Sequence, residues 1–168
     1  MNDYLIEFSD IENYTLKEFL DHIDNINGLS LKELKVSDLS YYNKKPIWPG
    51  EGVYLFREGK EILYVGKVSS MSFTERIAKH LDLRPFAWFN RLLKIICQKK
   101  FNKEISKENL IETSKYAFDN LNLILINFKK RDKINSIEKL LRASTNTLNK
   151  FKTVRVKNND LIINNYKS

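Results

Sequence analysis

Two tyrosines have the types and spacing from which chemistry could be built. Tyr54 closes the tripeptide Gly52-Val53-Tyr54, and Tyr64 opens Tyr64-Val65-Gly66. Both lie in runs rich in β-formers, GVYLF and ILYVGK, joined by Arg57 to Glu61 with a Glu58-Gly59 turn. Folded back as a hairpin, the runs set two phenols beside glycines that give a backbone or a phosphate room to approach. By default a tyrosine in a strand is an amphipathic core residue. The surrounding charge argues for more. The formal net charge is +8, but residues 1–50 carry 5 basic and 9 acidic side chains, while the remainder is net +12. A local cationic excess of that size points to a polyanion, most often nucleic acid; the bland alternative is a solvated, lysine-rich surface.

The elements that must position these residues can be read along the chain of 168 residues, a length that suits one domain with an extension. Thr15 with Glu18 is a capping-box pattern. Leu16, Phe19, Leu20 and Ile23 then share a helical face, with Gly28 as a stop. A second short helix is expected from Ser30, and YYNKKPIWPG (41–50) reads as a connector. After the hairpin, Ser72 with Glu75 opens a helix to about Leu81. Phe86, Phe89, Leu92, Leu93 and Ile96 mark an amphipathic helix to about Lys100, and Ser106 caps another. LNLILINF (121–128) is expected to be a third, central strand. Asn135 with Glu138 begins a last helix reaching Leu148, and the tail TVRV-KNND-LIINNY looks like a small hairpin turning at Asn158-Asn159.

The ordered set resembles the GIY-YIG nuclease family, with GVY and YVG standing for the two tripeptides. Further landmarks follow in the family's order. Arg76 lies on the next helix with His80 one turn later, Glu138 on the helix after the third strand, and the pair Leu148-Asn149 beyond it. Arg76 and His80, at i and i+4, share a face. One continuous helix would also align Glu138, Arg142, Thr145 and Asn149 as a polar stripe. The resemblance covers about residues 49–151. It implies an α+β fold, a small mixed or antiparallel sheet of about three strands flanked by helices. Residues 1–48 would be an acidic, mainly helical extension. Residues 49–168 would be the nuclease-like domain, with a helical insertion around 82–119 and a C-terminal β-hairpin.

The same resemblance implies a metal-dependent DNA endonuclease of restriction, mobile-element or repair type. Tyr54 would be the general base, although an unperturbed phenol at pKa ~10 needs positive charge from Lys67, Arg76, Lys79 or a metal to act near neutrality. Tyr64 would orient water or phosphate. Arg76 would clamp the phosphate with its fork, and His80 would serve as base, relay or phosphate ligand. Glu138 would hold Mg2+ or Mn2+, since one hard carboxylate plus waters and phosphate suits such an ion. Gly52, Gly66 and Asn149 would support the site. Lys67, Lys79, Arg84, Lys129, Lys130, Arg131 and Arg142 are the expected nucleic-acid contacts. A homodimer would allow double-strand cleavage, and the acidic extension would suit a protein partner. The alternative is a non-catalytic nucleic-acid-binding or protein-interaction module on the same fold.

Composition narrows the remaining classes. Cys97 is the single cysteine, so a disulfide framework and a Cys-based zinc site are excluded; its apolar neighbours predict a buried thiol. His22 and His80 are too few for a His-only metal site. No apolar run approaches the ~20 residues of a membrane span, and the first residues lack signal-peptide character. A cytoplasmic protein is expected. Trp88 and Phe89 are expected in the core rather than stacked on bases.

Overall fold

A computed structural model of the chain describes residues 3–150 and 155–167. The two β-rich runs form the expected hairpin, longer than predicted: β5 is Gly52–Glu58 and β6 is Glu61–Val68, with Gly59 at φ 56° in the turn. The apolar run forms strand β7, Leu121–Asn127, antiparallel to β5 and interior to the sheet as expected. Alternation then sorts side chains to two faces. Tyr54 and Phe56 point to one core, and Val53 and Leu55 to the other.

The sheet has five strands rather than about three, and the additional two come from the acidic N-terminal third. Strand β1 (Leu5–Glu7) runs parallel to β7 opposite Leu125–Asn127. Strand β2 (Leu29–Ser30) runs antiparallel opposite Asn122 and Leu123. The two therefore lie end to end along one edge of β7. Between them are α1 (Phe8–Ile11) and α2 (Leu16–Asn25). The capping box of α2 forms as expected between Thr15 and Glu18. Leu16, Phe19 and Ile23 are fully buried under Val53, Leu55 and Ile124. Buried Arg57 donates to the carbonyls of Ile23 and Ile26, setting a cation at the C-terminus of α2 where the helix dipole favours it. The first third is thus built into the sheet and core, not appended as a mainly helical extension. Its second expected helix is only a 3-10 turn, Val36–Leu39, and the connector is a short hairpin of β3 (Tyr41–Tyr42) and β4 (Lys45–Pro46).

The other face carries α3 (Phe73–His80), α4 (Arg91–Ile95) with a π-helical continuation Ile96–Lys100, and α5 (Lys107–Asn120). Ser72 caps α3 by accepting from the Glu75 amide. Cys97 is buried as expected. Helix α6 (Ile134–Ser144) packs Ile137, Leu140 and Leu141 onto the α2 side.

Three expectations fail for local reasons. Helix α4 starts at Arg91, because Asn90 donates its side-chain amide to the carbonyls of Asp82 and Arg84 and closes 82–90 into a loop. Phe86 and Trp88 are therefore 79% and 85% exposed, not in the core. Helix α6 ends at Ser144, with Thr145 extended, so no single helix reaches Asn149. The tail forms no hairpin among the described residues. Ile162 makes an isolated bridge to Thr15, followed by the 3-10 turn Ile163–Asn165, while Thr153 and Val154 lie outside the described residues. No helix of the described residues is long and apolar enough to cross a membrane.

A chain beginning at residue 31 should show no cooperative thermal unfolding. It loses four fully buried side chains, Ile11, Leu16, Phe19 and Ile23, worth roughly 1.5–3 kcal/mol each against a total stability of about 5–15 kcal/mol, and it strips β7 of its partners on one edge. A preserved transition in calorimetry would instead mark that third as peripheral.

Candidate active site

The site begins with a cross-strand pair. In the β5–β6 register Tyr54 lies directly opposite Gly66. A Cβ added at Gly66 would sit 2.2 Å from both Cζ and Oη of Tyr54, so the phenol lies across the glycine in space that no other residue leaves. Gly52 answers to a different neighbour. A Cβ there would lie 1.9 Å from the Ile126 carbonyl oxygen, so it keeps β7 close rather than lining the site.

Helix α3 brings two partners to the Tyr54 hydroxyl. His80, at the end of α3, places Nε2 at 2.6 Å from it, and Arg76, one turn earlier, donates from Nε at 3.0 Å. On the far side of the imidazole, the Leu92 amide donates to Nδ1 at 3.2 Å. That bond requires a lone pair on Nδ1, so neutral His80 carries its proton on Nε2 and donates to Tyr54. Burial, with Arg76 and Arg91 nearby, pushes His80 down to about 3, so the ring stays neutral at physiological pH. His80 is also fully buried. In this arrangement the neutral ring is held between the Leu92 amide and the Tyr54 hydroxyl.

The Tyr54 oxygen thus receives two N–H donors, an arrangement that favours a phenolate. Burial acts against this and, with the neighbouring Tyr64, holds Tyr54 above the usual phenol range, while Arg76 pulls it down. In the free protein Tyr54 is a neutral phenol, and of the positive charges named above Arg76 is the one that pulls it down. Tyr64 is likewise raised, mainly by burial.

Tyr54, Tyr64, Gly66 and Arg76 line a cleft of about 670 Å³ along the outer edge of β6. One wall is α6. Glu138 is buried there, and its Oε1 accepts from Arg142 at 2.9 Å. Arg142 also donates to the Asn149 carbonyl at 2.8 Å, while the Asn149 side chain pairs with the amide and carbonyl of Val65. The segment after α6 thus rejoins β6 through Asn149, and Leu148 bonds the Leu63 carbonyl beside it. The expected polar stripe is realised in part, Glu138–Arg142–Asn149, by side-chain bonds rather than by one helix.

The other wall comes from the segment expected as an insertion. Arg91, Lys94, Gln98 and Lys99 face the cleft with Lys67, Arg76, Lys139 and Arg142, giving seven cations against the single carboxylate of Glu138. The spacing of Arg91, Lys94 and Gln98 opposite Leu92, Leu93 and Ile96 was legible as one polar helical face. Several expected contacts lie elsewhere. Lys79 pairs with Glu75 at 2.6 Å, Arg84 with Asp82 at 2.5 Å, and Arg131 with Glu51 in a two-point clamp. Lys129 and Lys130 line a separate hollow beside Phe8 and Phe128.

The donor set fits a divalent ion only in the sparing manner of Mg2+. Among the described residues no group of three or more His, Cys, Asp or Glu side chains could hold a metal. Among those residues the only hydrogen bond to the Glu138 carboxylate engages Oε1, which leaves Oε2 for an ion otherwise held by water and phosphate. No family model, curated protein or solved structure matches the chain.

Because His80 is held below its unfolded value of 6.5, its contribution to stability is complete above pH 6.5 and is lost as pH falls toward 3. Urea unfolding of wild type and His80→Gln at pH 7 and pH 5 should show the wild-type advantage shrinking by about 2 kcal/mol at the lower pH. An advantage that is constant or grows would mean that His80 is charged in the fold.

Proposed function

We propose that the chain is a metal-dependent endonuclease of the GIY-YIG type that hydrolyses DNA phosphodiesters. The observation that carries this reading is the single cleft that gathers Tyr54, Tyr64, Arg76, Glu138 and Asn149 from separate elements and lines it with cations. A phosphodiester entering it meets charge of the right sign. Arg76 uses Nε on Tyr54 and, among the described residues, makes no other hydrogen bond, so its two terminal nitrogens are placed to fork a phosphate.

Tyr54 is fully buried beneath Arg76 in the free protein. Substrate must therefore draw Arg76 outward before a water reaches the phenolic oxygen. Tyr54 must first lose its own proton to solvent; the phenolate then takes the proton of the attacking water as the water oxygen bonds phosphorus, and the opposite P–O bond breaks, its leaving oxygen taking a proton from solvent. His80 holds the tyrosine oxygen in line. Glu138, fixed by Arg142, would hold Mg2+ or Mn2+, which when bound neutralises developing charge on the phosphate. The surrounding cations oppose a metal in the empty cleft, so metal affinity rises once phosphate is bound. With one cleft per chain, cutting both strands requires a homodimer or sequential nicks. A second reading, a module that grips nucleic acid without cutting, is favoured by the burial of Tyr54.

Supercoiled plasmid incubated with the protein and Mg2+ or Mn2+ should be nicked. Glu138→Ala and Tyr54→Phe should each lower the rate by about 100-fold or more, the scale of removing a positioned acid–base group. Absence of cutting on any DNA or RNA with salt-sensitive binding retained would favour the binding module. Variants as active as wild type would misplace the site.

A further inference from the structure

The loop 82–90 leaves two large aromatic side chains in solvent, Phe86 at 79% and Trp88 at 85% exposure, and its neighbouring residues Ala87 and Phe89 touch the cleft cations Lys94 and Arg76. Two large aromatic side chains exposed on one short loop mark a contact surface, and this loop is not slack. Asn90, itself fully buried, donates to the Asp82 and Arg84 carbonyls at 2.7 and 2.9 Å, and Lys94 donates to the Ala87 carbonyl at 2.6 Å. The third aromatic of the loop, Phe89, lies under Arg76 with its centroid 5.4 Å from the guanidinium carbon, while Lys79 stands 4.9 Å from the same ring. Arg76 therefore joins the loop at one end to the Tyr54 hydroxyl at the other.

The geometry points to a base-stacking wedge: Phe86 and Trp88 insert against a base that has left the duplex stack next to the phosphate held in the cleft. This deepens the nuclease reading and rests on it, naming the substrate as DNA interrupted by an unpaired or unstacked base. Aromatic side chains on a braced loop, flanked by cations that track a backbone, are the two components of a stacking platform for single-stranded or extruded bases. A duplex with a bulge has already lost the stacking that the wedge must otherwise break, so it is the favoured ligand.

The test compares a fully paired DNA duplex with the same duplex carrying one unpaired 2-aminopurine, in EDTA so that no strand is cut. The full chain should bind the bulged duplex about 10-fold more tightly, the order expected for one base stacked on an aromatic side chain. Phe86→Ala with Trp88→Ala should reduce that preference to near unity. Affinity for the paired duplex and its salt dependence should be unchanged, since both side chains are exposed and neither lines the cleft. In a Trp48→Phe chain, which leaves Trp88 as the sole tryptophan, emission should be quenched by the bulged duplex. Equal affinity for both duplexes, or a preference that survives the double substitution, overturns the wedge. So does a Trp88 response to phosphatidylserine vesicles and not to DNA, which would make the loop a membrane contact. A bulge preference without cleavage would sink the nuclease reading and leave the wedge standing; cleavage without the preference would do the reverse. Failure to bind any DNA overturns both.

Discussion

The structure depends on one close approach, the phenol of Tyr54 lying across Gly66 on the neighbouring strand. A side chain on the glycine would expel the ring, and with it the hydroxyl on which α3 is organised through Arg76 and His80. His80 is in turn fixed by an amide of α4. A single tyrosine–glycine contact thereby links the hairpin to two helices on one face of the sheet. Antiparallel pairing sets Tyr54 of the first tripeptide against Gly66 of the second, while Tyr64 faces Phe56.

Electrostatics sets the second constraint. Seven cations around one carboxylate would be mutually repulsive in a closed interior, and they are tolerable only because the cleft opens to solvent and counter-ions. Within it Arg142 holds Glu138 in place and bonds the chain that returns along β6, so the same guanidinium serves charge balance and backbone geometry. The site is thus rigid at its floor and α6 wall. Arg76, half-buried and bonded by one nitrogen, is the side chain best placed to respond to a ligand.

Much of this was legible in the residues. The hairpin, the central strand 121–127, the cap at Thr15, and the pairing of Arg76 with His80 follow from alternation, capping chemistry and helical spacing. What was not legible depended on contacts distant in sequence. Leu5–Glu7 and Leu29–Ser30 are too short to announce themselves as strands, and only the unpaired edge of β7 makes them so. The helix expected over Phe86–Lys100 lost its first turn to Asn90, whose side-chain bonds cap a loop that apolar periodicity alone reads as helix. Asn149 was expected from the order of landmarks, and one unbroken helix would have aligned it with Glu138. It arrives there instead by pairing its amide with Val65, which a helical wheel does not anticipate.

We propose that a tyrosine oxygen, presented by a histidine that stays neutral at physiological pH, takes the proton from the attacking water once it has lost its own. The pH dependence of single-turnover strand cleavage tests it most directly. The account predicts a rate that climbs about tenfold per pH unit through neutrality and beyond, as the small phenolate fraction grows, with the climb lost in Tyr54→Phe. A rate that levels off near pH 7, where an ordinary histidine titrates, would contradict it.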